Sequence, residues 1–215
     1  MAAAHIKLCD GQGAEIFWQS KPTLDFSPLD ALQIYALKTS PAFEAALYAG
    51  FRMAGPVDKY EQLIPQFCRH VGVGFQILND LKDWNGDNDN KIVAGQDALA
   101  LRPTLMMALA WQAANAEQRR LMERTFLDRE EEDSIRFHRM RRLLDELGVF
   151  TKAEALVEKS RDRAELLADN VESDEIRQLL YFLVDTILAD ERDKDPRESL
   201  PKPGRILVPL PVMTA

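Results

Sequence analysis

Phe75-Gln76-Ile77-Leu78-Asn79-Asp80-Leu81-Lys82-Asp83-Trp84-Asn85-Gly86-Asp87 is the stretch on which the reading of this chain turns. It lies at the end of a helical pattern that begins near Val57 and stops near Trp84, just before the turn-rich Asn85-Gly86-Asp87-Asn88-Asp89-Asn90. Each helical residue advances by about 100°. With Gln76 at zero, Asp80 falls at about 40°, Asp83 at about 340°, Asp87 at about 20° if the helix reaches it, and Asn79 at about 300°. A glutamine and two or three carboxylates thus share one stripe, while Phe67, Val71, Leu78 and Leu81 fall on the opposite side. Carboxylates at i and i+3 project in parallel and suit a hard divalent cation such as Mg2+, which then completes its shell with water or phosphate oxygens. The same spacing also describes a plain solvated acidic helix end.

Outward from this helix the chain reads as nearly all helix, with no sustained period-two run of β-branched residues. A first helix covers about Lys7 to Ser20. A second opens at Ser27-Pro28-Leu29-Asp30, where a serine N-cap, a proline at the first position and an acid three residues after the cap coincide. It runs to about Gly55, with a kink expected at Pro41. A fourth helix is expected from Arg102-Pro103 to about Asp128, followed by a solvated helix start at Arg129-Glu130-Glu131-Glu132-Asp133. Further helices are expected over Ser134–Leu147, with Gly148 as a C-cap, over Thr151–Val171 and over Asp174–Ala189. Residues 1–190 form one helical domain in this reading. Residues 191–215, with Pro196, Pro201, Pro203, Pro209 and Pro211, form an extended tail.

Composition narrows the function classes. At 215 residues, 46% hydrophobic and 29% charged, the chain has enough apolar surface for a real core. Its net charge of −8, from 35 acidic and 27 basic residues, argues against nucleic acid as a partner. No apolar run is long enough to span a bilayer. Cys9 and Cys68 give neither a disulfide framework nor zinc spacing, so a cytoplasmic setting is expected, with Cys68 as a packing residue. His5, His70 and His138 are isolated and read as surface or packing residues.

Two more clusters stand near the acidic stripe in chemical logic. Lys38-Thr39 interrupts the otherwise apolar Leu37 to Leu47; on its own it also reads as an exposed lysine and a threonine bonded back to its helix. Lys91-Ile92-Val93-Ala94-Gly95-Gln96-Asp97 precedes Arg102-Pro103-Thr104-Leu105, where basic residues and a helix N-terminus suit an anion. Metal-binding carboxylates plus cations are what a Mg2+-diphosphate site needs.

In order, Gly11-Gln12-x-x-Glu15, Lys38-Thr39, Phe75-Gln76-x-x-Asn79-Asp80-x-x-Asp83-x-x-Gly86-Asp87, Gly95-x-Asp97 and Arg102-Pro103-Thr104-Leu105 resemble the C-terminal half of the trans-isoprenyl diphosphate synthases, the polyprenyl synthetase family. The resemblance runs from about Leu8 to Leu188, and Gly148 through Leu180 resembles the family's closing helices. It implies an all-α protein, an antiparallel helical bundle of the isoprenoid synthase type around a deep cavity, here lacking the N-terminal helices. It implies Mg2+-dependent prenyl transfer, in which isopentenyl diphosphate attacks an allylic diphosphate whose diphosphate leaves. Asp80, Asp83 and Asn79 then take the metal-ligand places. Lys38, Thr39 and Gln76 take the catalytic places, and Lys38, Arg102 and Gln12 face diphosphate. Glu15 takes the place of a family aspartate.

The departures are informative. Asn79 replaces the first aspartate of D-D-x-x-D and offers a neutral carbonyl oxygen, so metal affinity should fall. Arg102 replaces a lysine and keeps the charge with another geometry. Lys91 is displaced by one or two residues. The first D-D-x-x-D motif, expected well upstream of Gly11-Gln12, has no counterpart in these residues. Three readings follow: the C-terminal half of a synthase, a non-catalytic synthase-like partner subunit, or a helical scaffold without a site. A half-bundle without its N-terminal helices is expected to expose an apolar face where they would pack, and hence to form a homo-oligomer or bind a synthase partner chain.

Overall fold

The computed structural model describes residues 2–21, 24–85, 102, 104–127 and 130–189. Within them the regular structure is helical: α1 Ala2–Gln19, α2 Pro28–Lys38, α3 Ser40–Ala54, α4 Leu63–Asn85, α5 Leu105–Ala113, α6 Ala116–Leu127, α7 Asp133–Glu146, α8 Val149–Asp169 and α9 Asp174–Ile187, with a short 3-10 turn over Asp58–Tyr60. The expected tail, Lys91, Gly95-x-Asp97, Gly86-Asp87 and Pro103 lie outside the described residues.

Sequence dictates most of the boundaries. Ser27 accepts from the Asp30 backbone N–H, and the Asp30 carboxylate accepts in return from the Ser27 N–H at 2.8 Å, a reciprocal cap that starts α2 at Pro28. The Ser27 hydroxyl also donates to the Asp30 carboxylate at 2.7 Å, and this bond first, with the Ser27 N–H second, holds the Asp30 carboxyl below its ordinary range. The expected kink at Pro41 is a full break. Pro41 lacks the N–H that would bond the Leu37 carbonyl, α2 closes with the Thr39 N–H on the Tyr35 carbonyl at 3.0 Å, and α3 restarts at Ser40.

The single helix expected over Arg102–Asp128 is two. Asn115 accepts from the Glu117 and Gln118 N–H groups at 3.0 and 2.9 Å, and the Gln118 side chain accepts from the Asn115 N–H, so α6 has its own start. Gly148 does end α7, with φ of +64°, and α8 begins immediately at Val149.

Helix α4 is the centre. Ile64, Phe67, Val71, Ile77, Leu81 and Trp84 are buried around its circumference, and it packs on α2, α3, α5, α8 and α9. Its longest contact is with α8, whose buried Ala153, Ser160, Ala164 and Ala168 let the two axes come close. Trp84 ends α4 in an aromatic box, stacked on Phe137 at 5.4 Å and edge-on to Phe150 at 6.2 Å. Arg141 donates to the Trp84 carbonyl and to the Asn85 amide oxygen, capping the last turn.

Two glycines set the approach of α1 and α4 to the α2–α3 break. A Cβ on Gly11 would lie 2.6 Å from the Lys38 nitrogen and 2.7 Å from the Leu37 carbonyl carbon. One on Gly72 would lie 2.5 Å from the Ser40 hydroxyl and 2.8 Å from its Cα. The Lys38-Thr39-Ser40 segment is therefore clamped between two helices that have no side chain at the crossing.

Several large apolar side chains are exposed on α1, α2 and α3. Met53 is 91% and Leu29 73% exposed, and Ile6, Ile16 and Phe17 are exposed along α1. A cavity of about 260 Å³ opens between Phe43 and Leu47 of α3, Phe67 and Val71 of α4, and Leu183 and Ile187 of α9. Cys68 also lines it, and burial, with a smaller push from Glu44, raises its thiol to about 12. Cys9 is exposed. No helix of the described residues is long and apolar enough to cross a membrane.

Candidate diphosphate and metal site

Gly11 explains why an acid follows it one turn later, at Glu15. The close crossing it permits brings Glu15 to the C-terminal end of α2, where both Glu15 oxygens accept from Lys38 Nζ at 2.8 Å. Gln12 donates to Glu15 Oε2, also at 2.8 Å. The Glu15 side chain is 13% exposed and the Lys38 side chain 30%, so the pair is partly desolvated and held more firmly than a surface ion pair. Gln12 is exposed at the rim.

One residue on, Thr39 donates its hydroxyl to the Gln76 side-chain oxygen at 3.2 Å. The bond crosses the gap that Gly72 keeps narrow and fixes Gln76 one turn before the acidic stripe. Lys38, Thr39 and Gln76, expected together from motif order, are thus brought together by α1, α2 and α4. Arg102 is exposed, and its carbonyl accepts from the Thr104 N–H at 2.8 Å immediately before α5, whose N-cap is Thr104.

The acidic stripe divides into two kinds of residue. Asn79 and Asp83 are half-buried at the edge of α4. Asp80 is only 2% exposed. The alternative of a plain solvated acidic helix end does not describe Asp80, which the resemblance gives a metal-ligand place: α2 packs over that side of α4 and places Tyr35, itself 4% exposed, against it. The Tyr35 hydroxyl donates to Asp80 Oδ2 and accepts from the Leu105 backbone N–H at 2.7 Å. The helical wheel had the direction of Asp80 right, but it carries no information about which neighbouring helix covers that direction.

Among the described residues no group of three or more His, Cys, Asp or Glu side chains is arranged to hold a metal ion. The donor set at the stripe, one carboxylate from Asp83 and one amide oxygen from Asn79, does not make an all-protein cage. It does fit the way Mg2+ is commonly held, by one or two protein oxygens with phosphate and water completing the shell.

Sequence reasoning missed two contributors. Tyr35 sits in the apolar run Ala31–Leu37 and reads as core; the usable signal was that a buried tyrosine hydroxyl needs a partner. Arg141 lies within Arg139-Met140-Arg141-Arg142, and nothing local distinguishes it from its basic neighbours.

Residues 1–143 match the family model described as polyprenyl synthetase. An all-trans-nonaprenyl-diphosphate synthase (geranyl-diphosphate specific) from Rhodobacter capsulatus is 32% identical over 121 residues, covering 55% of this chain and 36% of that protein. An octaprenyl diphosphate synthase from Haemophilus influenzae is 25% identical over 198 residues, covering 86% of this chain and 56% of that protein. A solved polyprenyl synthase from Caulobacter crescentus, complexed with calcium and isoprenyl diphosphate, matches with a TM-score of 0.76 at 24% identity over 88% of this chain and 57% of that one. A geranylgeranyl pyrophosphate synthetase from Pyrococcus horikoshii gives a TM-score of 0.76 at 21% identity with the same coverage. At these identities the structural likeness shows the fold. The chain spans about half the length of the curated relatives it matches.

Proposed function

Because the chain belongs to the polyprenyl synthetase family, we propose that it binds the Mg2+ complex of a prenyl diphosphate and takes part in prenyl transfer between an allylic diphosphate and isopentenyl diphosphate. The observation that carries the proposal is the Thr39–Gln76 bond, which ties the end of α2, where Lys38 pairs with Glu15, to the helix that carries Asn79 and Asp83. Lys38 has three ammonium donors, two of which Glu15 accepts, so the lysine is oriented and can turn a further N–H toward a phosphate oxygen. Arg102, ahead of the α5 N-terminus, supplies a second cation. Asp83 and Asn79 would hold Mg2+, and the metal, when bound, neutralises the diphosphate and favours its departure. Thr39 and Gln76 present oxygen atoms beside Lys38, where positive charge on a departing allyl group would be tolerated.

The family resemblance favours the cytoplasm and an oligomer, and the exposed apolar residues of α1 and α3 support association with a further helical layer, whether from the same polypeptide or a second one. The site in these residues is weak in metal ligands. The 215-residue chain alone is expected to incorporate labelled isopentenyl diphosphate slowly or not at all.

Calorimetric titration of pyrophosphate, with and without Mg2+, tests the site. Mg2+-dependent binding is expected at about millimolar affinity. Asn79→Asp should tighten it by adding a carboxylate, and Asp83→Ala should weaken it. Identical binding by the parent and both variants would mean that the acidic stripe is an ordinary helix face.

A further inference from the structure

The Tyr35 hydroxyl is a hydrogen-bonded junction between three packed elements of the site. It belongs to α2, one turn before Lys38. It donates to Asp80 of α4, one turn after Gln76 and one turn before Asp83. It accepts at 2.7 Å from the N–H of Leu105, the first residue of α5, three positions beyond Arg102. All three groups are buried: Tyr35 4%, Asp80 2% and Leu105 0% exposed.

The chemistry of each partner makes this junction costly to leave open. The first N–H groups of a helix have no acceptor within it, and Leu105 is buried, so water does not serve. The Asp80 carboxylate is buried and needs donors. A single hydroxyl answers both needs because it can accept and donate at once. Neither a leucine nor a phenylalanine at position 35 would do this.

We propose that Tyr35 is a positioning residue for the diphosphate site, with Asp80 acting through it. The junction fixes the spacing of the Lys38 ammonium, the Asn79–Asp83 edge and the Arg102 cation. Asp80 then serves the site from behind, as the acceptor that holds Tyr35 in place. This inference rests on the diphosphate reading above.

The test is Tyr35→Phe, which keeps the ring and removes the oxygen. Mg2+-dependent pyrophosphate binding is measured by calorimetry, and helix content and melting temperature by circular dichroism. A site that depends on the junction loses about tenfold in affinity, the scale of one charge-assisted hydrogen bond, and needs more Mg2+ for half-saturation. A purely structural role lowers the melting temperature and leaves both binding parameters within twofold of the parent, which overturns the inference alone. Absence of Mg2+-dependent binding in the parent overturns the diphosphate reading and this inference with it. A second measurement uses the unaltered chain. Saturating Mg2+-pyrophosphate should slow amide hydrogen exchange at Leu105 several-fold, although Leu105 is buried behind the site; an unchanged rate overturns the proposed coupling.

Discussion

Gly11 and Gly13 occupy the same helix two residues apart, and alanine should move stability in opposite directions at the two positions. At Gly11 a Cβ meets the Lys38 nitrogen at 2.6 Å and the Leu37 carbonyl carbon at 2.7 Å, whereas at Gly13 it meets nothing within 4 Å. Ordinary contact lies at about 3.5–4.0 Å, so α1 must move away from α2 by roughly 1 Å to admit the methyl. The obstructing atoms are backbone and cannot rotate aside. Overpacking of this kind costs about 1–3 kcal/mol, against a helix-propensity gain of about 0.8–1.0 kcal/mol for replacing glycine with alanine. Gly11→Ala should therefore lose up to about 2 kcal/mol net, and Gly13→Ala should gain about 0.8–1.0 kcal/mol. At roughly 2–4 °C per kcal/mol for a chain of this size, the two melting temperatures should differ by about 2–12 °C. Urea unfolding followed by far-ultraviolet circular dichroism measures the difference at constant temperature. Gly11→Ala should also weaken Mg2+-pyrophosphate binding, because Glu15 withdraws from Lys38 with its helix. If Gly11→Ala proves as stable as Gly13→Ala, the α1–α2 crossing is looser than described and the explanation of the Gly-Gln-x-x-Glu spacing fails.

Thiol chemistry should distinguish the two cysteines: at pH 8 a maleimide should modify exposed Cys9 rapidly and Cys68, raised to about 12, only after denaturant is added. Rapid double labelling of the native chain would show that α4 is not buried at Cys68. His70 has its pKa lowered by burial first and then by Arg163 and Arg69, so its neutral form is the one the fold favours. Its contribution is therefore present above the unfolded value of 6.5 and lost as pH falls through that value toward the lower folded one. Melting temperature should drop between about pH 7.5 and 5.5, and His70→Gln should flatten that slope. Ser27→Ala removes the cap of α2 and should cost about 1 kcal/mol by urea unfolding; no loss would mean that Pro28 and Asp30 start the helix without it.

The readable part of the site is the part encoded in spacing along one helix or in a short motif. Gln76, Asp80 and Asp83 are placed on one stripe, with Asn79 beside it, by the helical period alone, and the Ser27-Pro28-Leu29-Asp30 start is a local capping signal that tertiary packing did not alter. The Pro41 break was readable as a disturbance but not as a full restart, because whether a proline kinks or ends a helix depends on what occupies the outside of the bend. Here Gly72 admits Ser40 into contact with α4. The start of α6 was hidden because Asn115 sits in an otherwise helix-forming run. The burial of Asp80 was out of reach for a different reason. It follows from Tyr35 being 45 residues away in sequence and adjacent in space, and a wheel describes one helix at a time.

The aromatic box at the end of α4 also gives the site an optical reporter. Trp84 is 1% exposed between Phe137 and Phe150 and directly follows Asp83. Trp18 and Trp111 are only partly buried, and each lies beside a cation, Lys21 at 4.3 Å and Arg119 at 5.1 Å. The blue edge of the intrinsic fluorescence should therefore come mainly from Trp84, and the polar, cation-flanked indoles should emit further to the red. Any ligand that displaces the last turn of α4 would tilt that indole against its stacked neighbour. The change in emission would then follow occupancy of the acidic edge without a label or a coupled enzyme.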